Sequence, residues 1–180
     1  MRGGPPRTDD RHCGVLVNYR FSPNTLAWYD SAVPRASSVV RYVWAAPTTA
    51  LGLLVVLAGL WRAQARLVDG VLEAHGPTLA WLLLHLTLVP GGAAALTLGH
   101  VVIARDRRSL ELTRGHERVH VRQCEEAWGP LFVPAYLAAS LWAMLRGRSF
   151  YFDNRFEVEA FQASHSRQER AVAPEATLRR

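Results

Sequence analysis

LELTRGHERVHVRQCEEAW, running from Leu110 to Trp128, is made largely of good helix formers and stops at Gly129-Pro130, a pair that ends helices. Ser109, just after the charged turn Arg105-Asp106-Arg107-Arg108, is a plausible N-cap for it. Inside this predicted helix lies His116-Glu117-Arg118-Val119-His120, an H-E-x-x-H sequence. Residues four apart stack one above the other on a helix, so both imidazoles can reach a single metal ion. Glu117 is about 100° round from His116, beside the ion and placed to take a proton from water. Zinc suits such a set, because it lowers the pKa of water and polarises a carbonyl near neutral pH. In a chain of this composition the pattern arises by chance roughly 0.01 times, so accident is a poor account of it.

A hydrolytic zinc site needs a third protein ligand and one open position. Downstream the candidates are Glu125, Glu126, Asp153, Glu157, Glu159 and His165. Glu125 and Glu126 share the helix with the histidines but fall off their face, so they cannot close on the same ion. A third histidine six residues after His120 is missing, since Glu126 stands there. A tetrahedral ion requires the chosen donor atoms to lie within about 4 Å of one another.

Beyond Gly129-Pro130 comes Leu131 to Leu145, LFVPAYLAASLWAML, apolar almost all round and ending at Arg146-Gly147-Arg148. Fifteen residues are few for a membrane span, so this segment reads as a helix buried in the domain or lying in the membrane surface. It must fold back if Glu157 is to reach His116, and the Gly129-Pro130 break permits that. Residues 149–165 read as a turn and a last short helix, and 166–180 as a polar tail.

Upstream, Val43 to Trp61 carries no charged residue and is bracketed by Arg41 and by Arg62 and Arg66, with Trp44 and Trp61 near its ends. At 1.5 Å per residue it spans about 28 Å, close to the thickness of a hydrocarbon core. Together with its aromatic ends this predicts a transmembrane helix over 39–64. Arginines at both ends leave its orientation open. Between that helix and the H-E-x-x-H segment, 67–76 reads as a strand pair or a strand and turn. Trp81–Val89 and the run from Ala93 to Ala104 are separated by Pro90-Gly91-Gly92 and read as short strands, Leu96–Ile103 the clearest, with a second membrane segment as the alternative. Residues 1–38 form an N-terminal segment, polar and aperiodic over its first 36, with no apolar core near Met1 of the kind a secretory signal needs.

The net charge of +6 comes entirely from arginine, since the chain has no lysine. Those arginines are scattered, without a basic helix face or interleaved aromatics, which argues against nucleic acid as a partner. Cys13 and Cys124 have no CxxC spacing and read as two separate thiols.

HERVHVRQ (116–123), the apolar run 131–145 and YFDNRFEVEA (151–160) together resemble a group of small, mostly uncharacterised bacterial membrane-associated proteins of the gluzincin type. In these a helix reading HExVHxxQ is followed by an apolar helix and a YxxNxFExEA segment. The likeness covers roughly residues 95–162 and touches LTLGHVV (96–102). It implies an α+β fold: a transmembrane helix, then over 65–165 a minimal gluzincin-like domain of short strands, the H-E-x-x-H helix, an apolar helix and a ligand helix. It also implies zinc held by His116, His120 and Glu157, with Glu117 as general base, in a zinc metallopeptidase acting on peptide or protein at a membrane, the plasma membrane by expectation. Glu159 is the rival ligand, or a partner that orients a ligand imidazole. His100 and Tyr151 are candidates for second-layer support or substrate contact, and Tyr136, Tyr151 and Arg155 for holding an oxyanion. The alternative is a zinc-binding membrane protein, a sensor or assembly factor, that keeps the metal site without hydrolysis.

Overall fold

The computed structural model describes residues 38–59, 62–87, 89 and 91–172. The polar lead-in, Cys13, Trp61, Pro90 and the end of the tail at 173–180 lie outside the described residues. The described residues form a mixed α/β structure with one four-stranded sheet, in the order β1 (Gln64–Val68), β2 (Val71–His75), β4 (Val101–Ala104), β3 (Ala95–Leu98). Helix α1 (Ser38–Gly59) is followed by β1 (Gln64–Val68), β2 (Val71–His75), α2 (Pro77–His85), β3 (Ala95–Leu98) and β4 (Val101–Ala104). Then come α3 (Arg107–Gln123), α4 (Phe132–Leu145) and α5 (Arg155–Val172).

β1 and β2 form the strand pair expected at 67–76, joined through Asp69 (φ 47) and Gly70 (φ 77). Two positive φ values in a two-residue turn match the twist of a hairpin, and Asp-Gly tolerates them. β2 runs parallel to β4, which requires a crossover, and α2 supplies it. This corrects the expectation of strand at Trp81–Val89. Pro77 opens the helix at its first turn, and Leu79 and Leu83, four apart, are buried against the sheet. A short apolar run does not reveal its own period, so burial against the sheet decides.

A second correction concerns Leu96–Ile103. It is two antiparallel strands, folded between Leu98 and Val101 at Gly99-His100, so His100 lies in a turn. Alternation along β4 sends Val101 and Ile103 to one face of the sheet, with Val56 of α1 and Leu79 and Leu83 of α2. Val102 and Ala104 point to the other face, with Leu110 and Val121 of α3. The sheet is thus covered on both sides, which explains why all four residues of β4 are buried.

Helix α1 belongs to this core. Ala45, Thr48 and Val56 are buried along one stripe, and Gly52 in the same stripe touches the sheet so closely that a Cβ there would lie 2.7 Å from Val101 Cβ. Thr48 Oγ1 donates to the Gly129 carbonyl (2.7 Å). Its outer face, including Leu51, Leu54 and Leu57, is exposed. Among the described residues, two helical segments suffice by length and composition alone to cross a membrane, Val39–Gly59 and the longer Arg107–Leu145.

Asp106, rather than Ser109, caps α3: its Oδ1 accepts from the Ser109 amide at 2.7 Å. After Gln123 the helix widens to a π-helical turn, Cys124–Trp128, then tightens to 3-10 geometry over Gly129–Leu131 before α4 starts. Gly129-Pro130 therefore turns the chain, bringing Phe132 and Tyr136 of α4 back to 6.0 and 6.3 Å from the His120 ring, centroid to centroid. The loop 146–154 then leads into α5. There Asn154, fully buried, caps α5 through the Phe156 amide (2.9 Å) and ties it to α4 through the Tyr136 carbonyl (3.1 Å) and Ser140 Oγ (2.7 Å). α5 is longer than the short last helix expected over 149–165.

Candidate metal centre

The helical spacing brings His116 and His120 to one face of α3, with Nε2 atoms 3.2 Å apart. The loop before α5 returns Glu157, in the first turn of that helix, to the same point. Glu157 Oε2 lies 3.0 Å from His116 Nε2, and Oε1 lies 3.3 Å from His120 Nε2. The two imidazoles address different oxygens of one carboxylate. With a single donor atom taken from each residue, all three lie within 4.8 Å of one another, looser than the 4 Å expected. His120 and Glu157 are buried, and His116 is partly so. The three residues together can hold a metal ion.

The donor set fits one in two respects. Donors around a tetrahedral ion with arms of about 2.0–2.1 Å stand about 3.3 Å apart; the two imidazole nitrogens are 3.2 Å apart and lie 3.0 and 3.3 Å from different oxygens of Glu157, whereas one donor atom per residue spreads to 4.8 Å. Two imidazole nitrogens and a carboxylate are also all lone-pair donors, so a cation or protons must sit among them. Without a metal, protons take that role. Burial alone would push the His120 imidazole down, but the hydrogen bond and charge of Glu157 outweigh it and raise it to about 9. Burial would likewise raise the Glu157 carboxyl, yet the hydrogen bonds from His116 and His120 hold it well below the usual carboxylate range.

Further groups orient the three. His120 Nδ1 donates to Gln123 Oε1 (2.8 Å), which leaves Nε2 facing Glu157. Gln123 in turn donates to the Phe156 carbonyl (3.3 Å). Glu159, the rival ligand, is not one of the residues whose donor atoms converge, and burial raises its carboxyl. Tyr136 donates to Glu157 Oε1 (2.7 Å), and burial together with the charge of Glu157 pushes the Tyr151 hydroxyl up. Arg155 instead packs over Trp128 and Phe156, at 5.8 and 5.5 Å from the ring centroids.

Glu117 is buried next to the pair, and Thr97 Oγ1 donates to its Oε2 at 2.6 Å. Thr97 sits on β3, the edge strand, and points to the α3 side because its register partner is Val102. His100 belongs to a different cluster. One ring nitrogen faces Thr49 Oγ1 (3.2 Å), the other Glu125 Oε1 (2.9 Å), and the ring stacks on Tyr42. The hydrogen bond with His100 holds the Glu125 carboxyl low. Cys124 is a free buried thiol, pushed up to about 12 by burial.

Sequence reasoning passed over Thr97, Gln123 and Asn154. Gln123 carried a signal, standing three residues after His120 and so on the same helix face. Thr97 carried none, because its pairing with Glu117 depends on the register of β3.

Comparison with family models, with curated proteins and with solved structures returned no match for this chain.

Proposed function

We propose that this chain is a membrane-anchored zinc hydrolase of the gluzincin type, cleaving amide bonds of peptide or protein substrates. The observation that carries the reading is the His116 Nε2–His120 Nε2 pair, 3.2 Å apart, with the two oxygens of Glu157 at 3.0 and 3.3 Å from them, beside a buried glutamate that is not part of the cluster. A bound zinc ion would supply Lewis acidity and make water acidic enough to act near neutral pH.

The chain's own residues supply the rest. Glu117 takes the proton from the attacking water and passes it to the leaving amine, and Thr97 holds one of its oxygens so that the other faces the substrate. Gln123 fixes the tautomer of His120. Burial and the charge of Glu157 keep the Tyr151 hydroxyl protonated far above neutral pH, so it can donate to an oxyanion forming on the substrate carbonyl. Helix α1 provides the anchor. Its 22 residues measure about 33 Å, enough for a hydrocarbon core of about 30 Å.

Metal analysis of the purified protein tests the site. Wild type is expected to bind one zinc per chain and His116→Ala none. Glu117→Gln is expected to retain zinc while losing hydrolysis by roughly a hundredfold or more. A Glu117→Gln variant that retains zinc and cleaves at the wild-type rate would mean a metal site without a glutamate base, as in a sensor or assembly factor.

A further inference from the structure

A cavity of about 250 Å³ opens beside the metal centre, between β3 and α4. Its walls are mainly apolar, with Leu96, Leu98, Phe132, Val133 and Phe150; of the hydroxyls that also line it, those of Thr87, Thr97 and Tyr136 are engaged with the Leu83 carbonyl, Glu117 and Glu157, and Tyr151 is the fourth. Its buried end carries Glu117, His120 and Glu157, whereas its outer end is formed by Leu86 and Leu137, 67% and 48% exposed. Polar groups gather where the reaction would occur, and the remaining surface offers a ligand little to hydrogen-bond. A cavity of about 150 Å³ already holds a benzene ring, so this one has room for a leucine or phenylalanine side chain.

The outer end continues onto the surface. Leu137, Leu141 and Leu145 follow one another at four-residue spacing, so they form one stripe along α4, and all three are exposed. The stripe ends at Arg146, whose guanidinium lies 4.3 Å from the centre of the Trp142 ring. An arginine and a tryptophan at the end of an apolar helix face are what a lipid–water boundary selects.

We infer that this cavity is the specificity subsite of the metal centre and takes a large aliphatic or aromatic side chain next to the scissile amide. The inference rests on the hydrolase reading above and adds the substrate class: apolar polypeptide, of the kind that approaches along the leucine stripe of α4. Charged or small residues at that position leave the walls unpaired or unfilled and bind weakly.

The test uses the zinc-loaded full chain in detergent micelles and a series of hydroxamates carrying a methyl, carboxymethyl, isobutyl or benzyl group beside the chelating unit, with affinity read by titration calorimetry. The isobutyl and benzyl compounds are expected to bind at least about tenfold tighter than the methyl and carboxymethyl ones. Val133→Trp, which fills the cavity, should retain zinc and bring the isobutyl affinity down to that of the methyl compound. Phe150→Ala, which widens it, should shift the preference from isobutyl toward benzyl. Equal affinities across the series, or a preference untouched by both variants, overturn the subsite. If none of the compounds binds the zinc-loaded chain, the methyl one included, the ion offers no open position to a substrate, and the hydrolase reading falls together with the subsite.

Discussion

Replacing Glu157 by glutamine removes one charge from the centre of the site while leaving its shape almost intact. In the metal-free protein, against the burial that would lower it, this carboxylate makes the largest contribution to raising the His120 imidazole from 6.5 to about 9, with Glu117 and Gln123 adding to it. Such a rise corresponds to about 3 kcal/mol of stability. Because the folded value lies above the unfolded one, the contribution is fully present below pH 6.5 and disappears as pH climbs through about 9. The lowered Glu157 carboxyl records the same pairing from the other side. Its share is present above the ordinary carboxylate range and is lost on strong acidification, so the two are counted once. Glu157→Gln is therefore expected to cost about 3 kcal/mol at pH 6 and much less at pH 9.5, in protein stripped with chelator. Urea unfolding in micelles at both pH values, followed by tryptophan fluorescence, measures the difference. A penalty of equal size at the two pH values would show that Glu157 acts by packing and that the charge pairing drawn here is wrong. Zinc competes with the same proton, so zinc affinity of the wild type should rise as pH rises toward 9.

Gln123→Leu removes the acceptor that fixes the His120 tautomer and should weaken zinc binding by roughly 10–100-fold, measured by competition with a chelating dye. Thr97→Val frees the Glu117 carboxylate to rotate; turnover should drop about tenfold while zinc content and KM stay near wild type. Asn154→Ala removes the α5 cap and two bonds to α4 and should lower unfolding stability by about 2–3 kcal/mol at neutral pH, with a corresponding fall in Tm.

The residues differ sharply in how much of this was written in their immediate neighbourhood. His116 and His120 meet because an α-helix repeats every 3.6 residues, and the same period puts Gln123 behind His120. Helices α1, α3 and α4 follow from runs of good formers and apolar residues. The strand pair at 67–76 follows from its Asp-Gly turn. By contrast Trp81–Val89 gave no indication of its period, and only the sheet against which Leu79 and Leu83 pack made it helical. His100 was legible as a polar residue in an apolar run, but its partners Thr49 and Glu125 come from segments 51 and 25 residues away.

Local order along the chain was enough to set the H-E-x-x-H pair on a helix and to give α1 the length of a bilayer, because both depend on spacing between near neighbours. The convergence of Glu157 on that pair is a long-range event, set by the loop after α4, the Asn154 cap and the packing of α5 on α3. The same holds for the hold of Thr97 on Glu117, the docking of α1 on the sheet and the apolar cavity beside the His116–His120–Glu157 cluster. Each arises where segments distant in sequence come into contact, and no periodicity within either segment encodes the meeting.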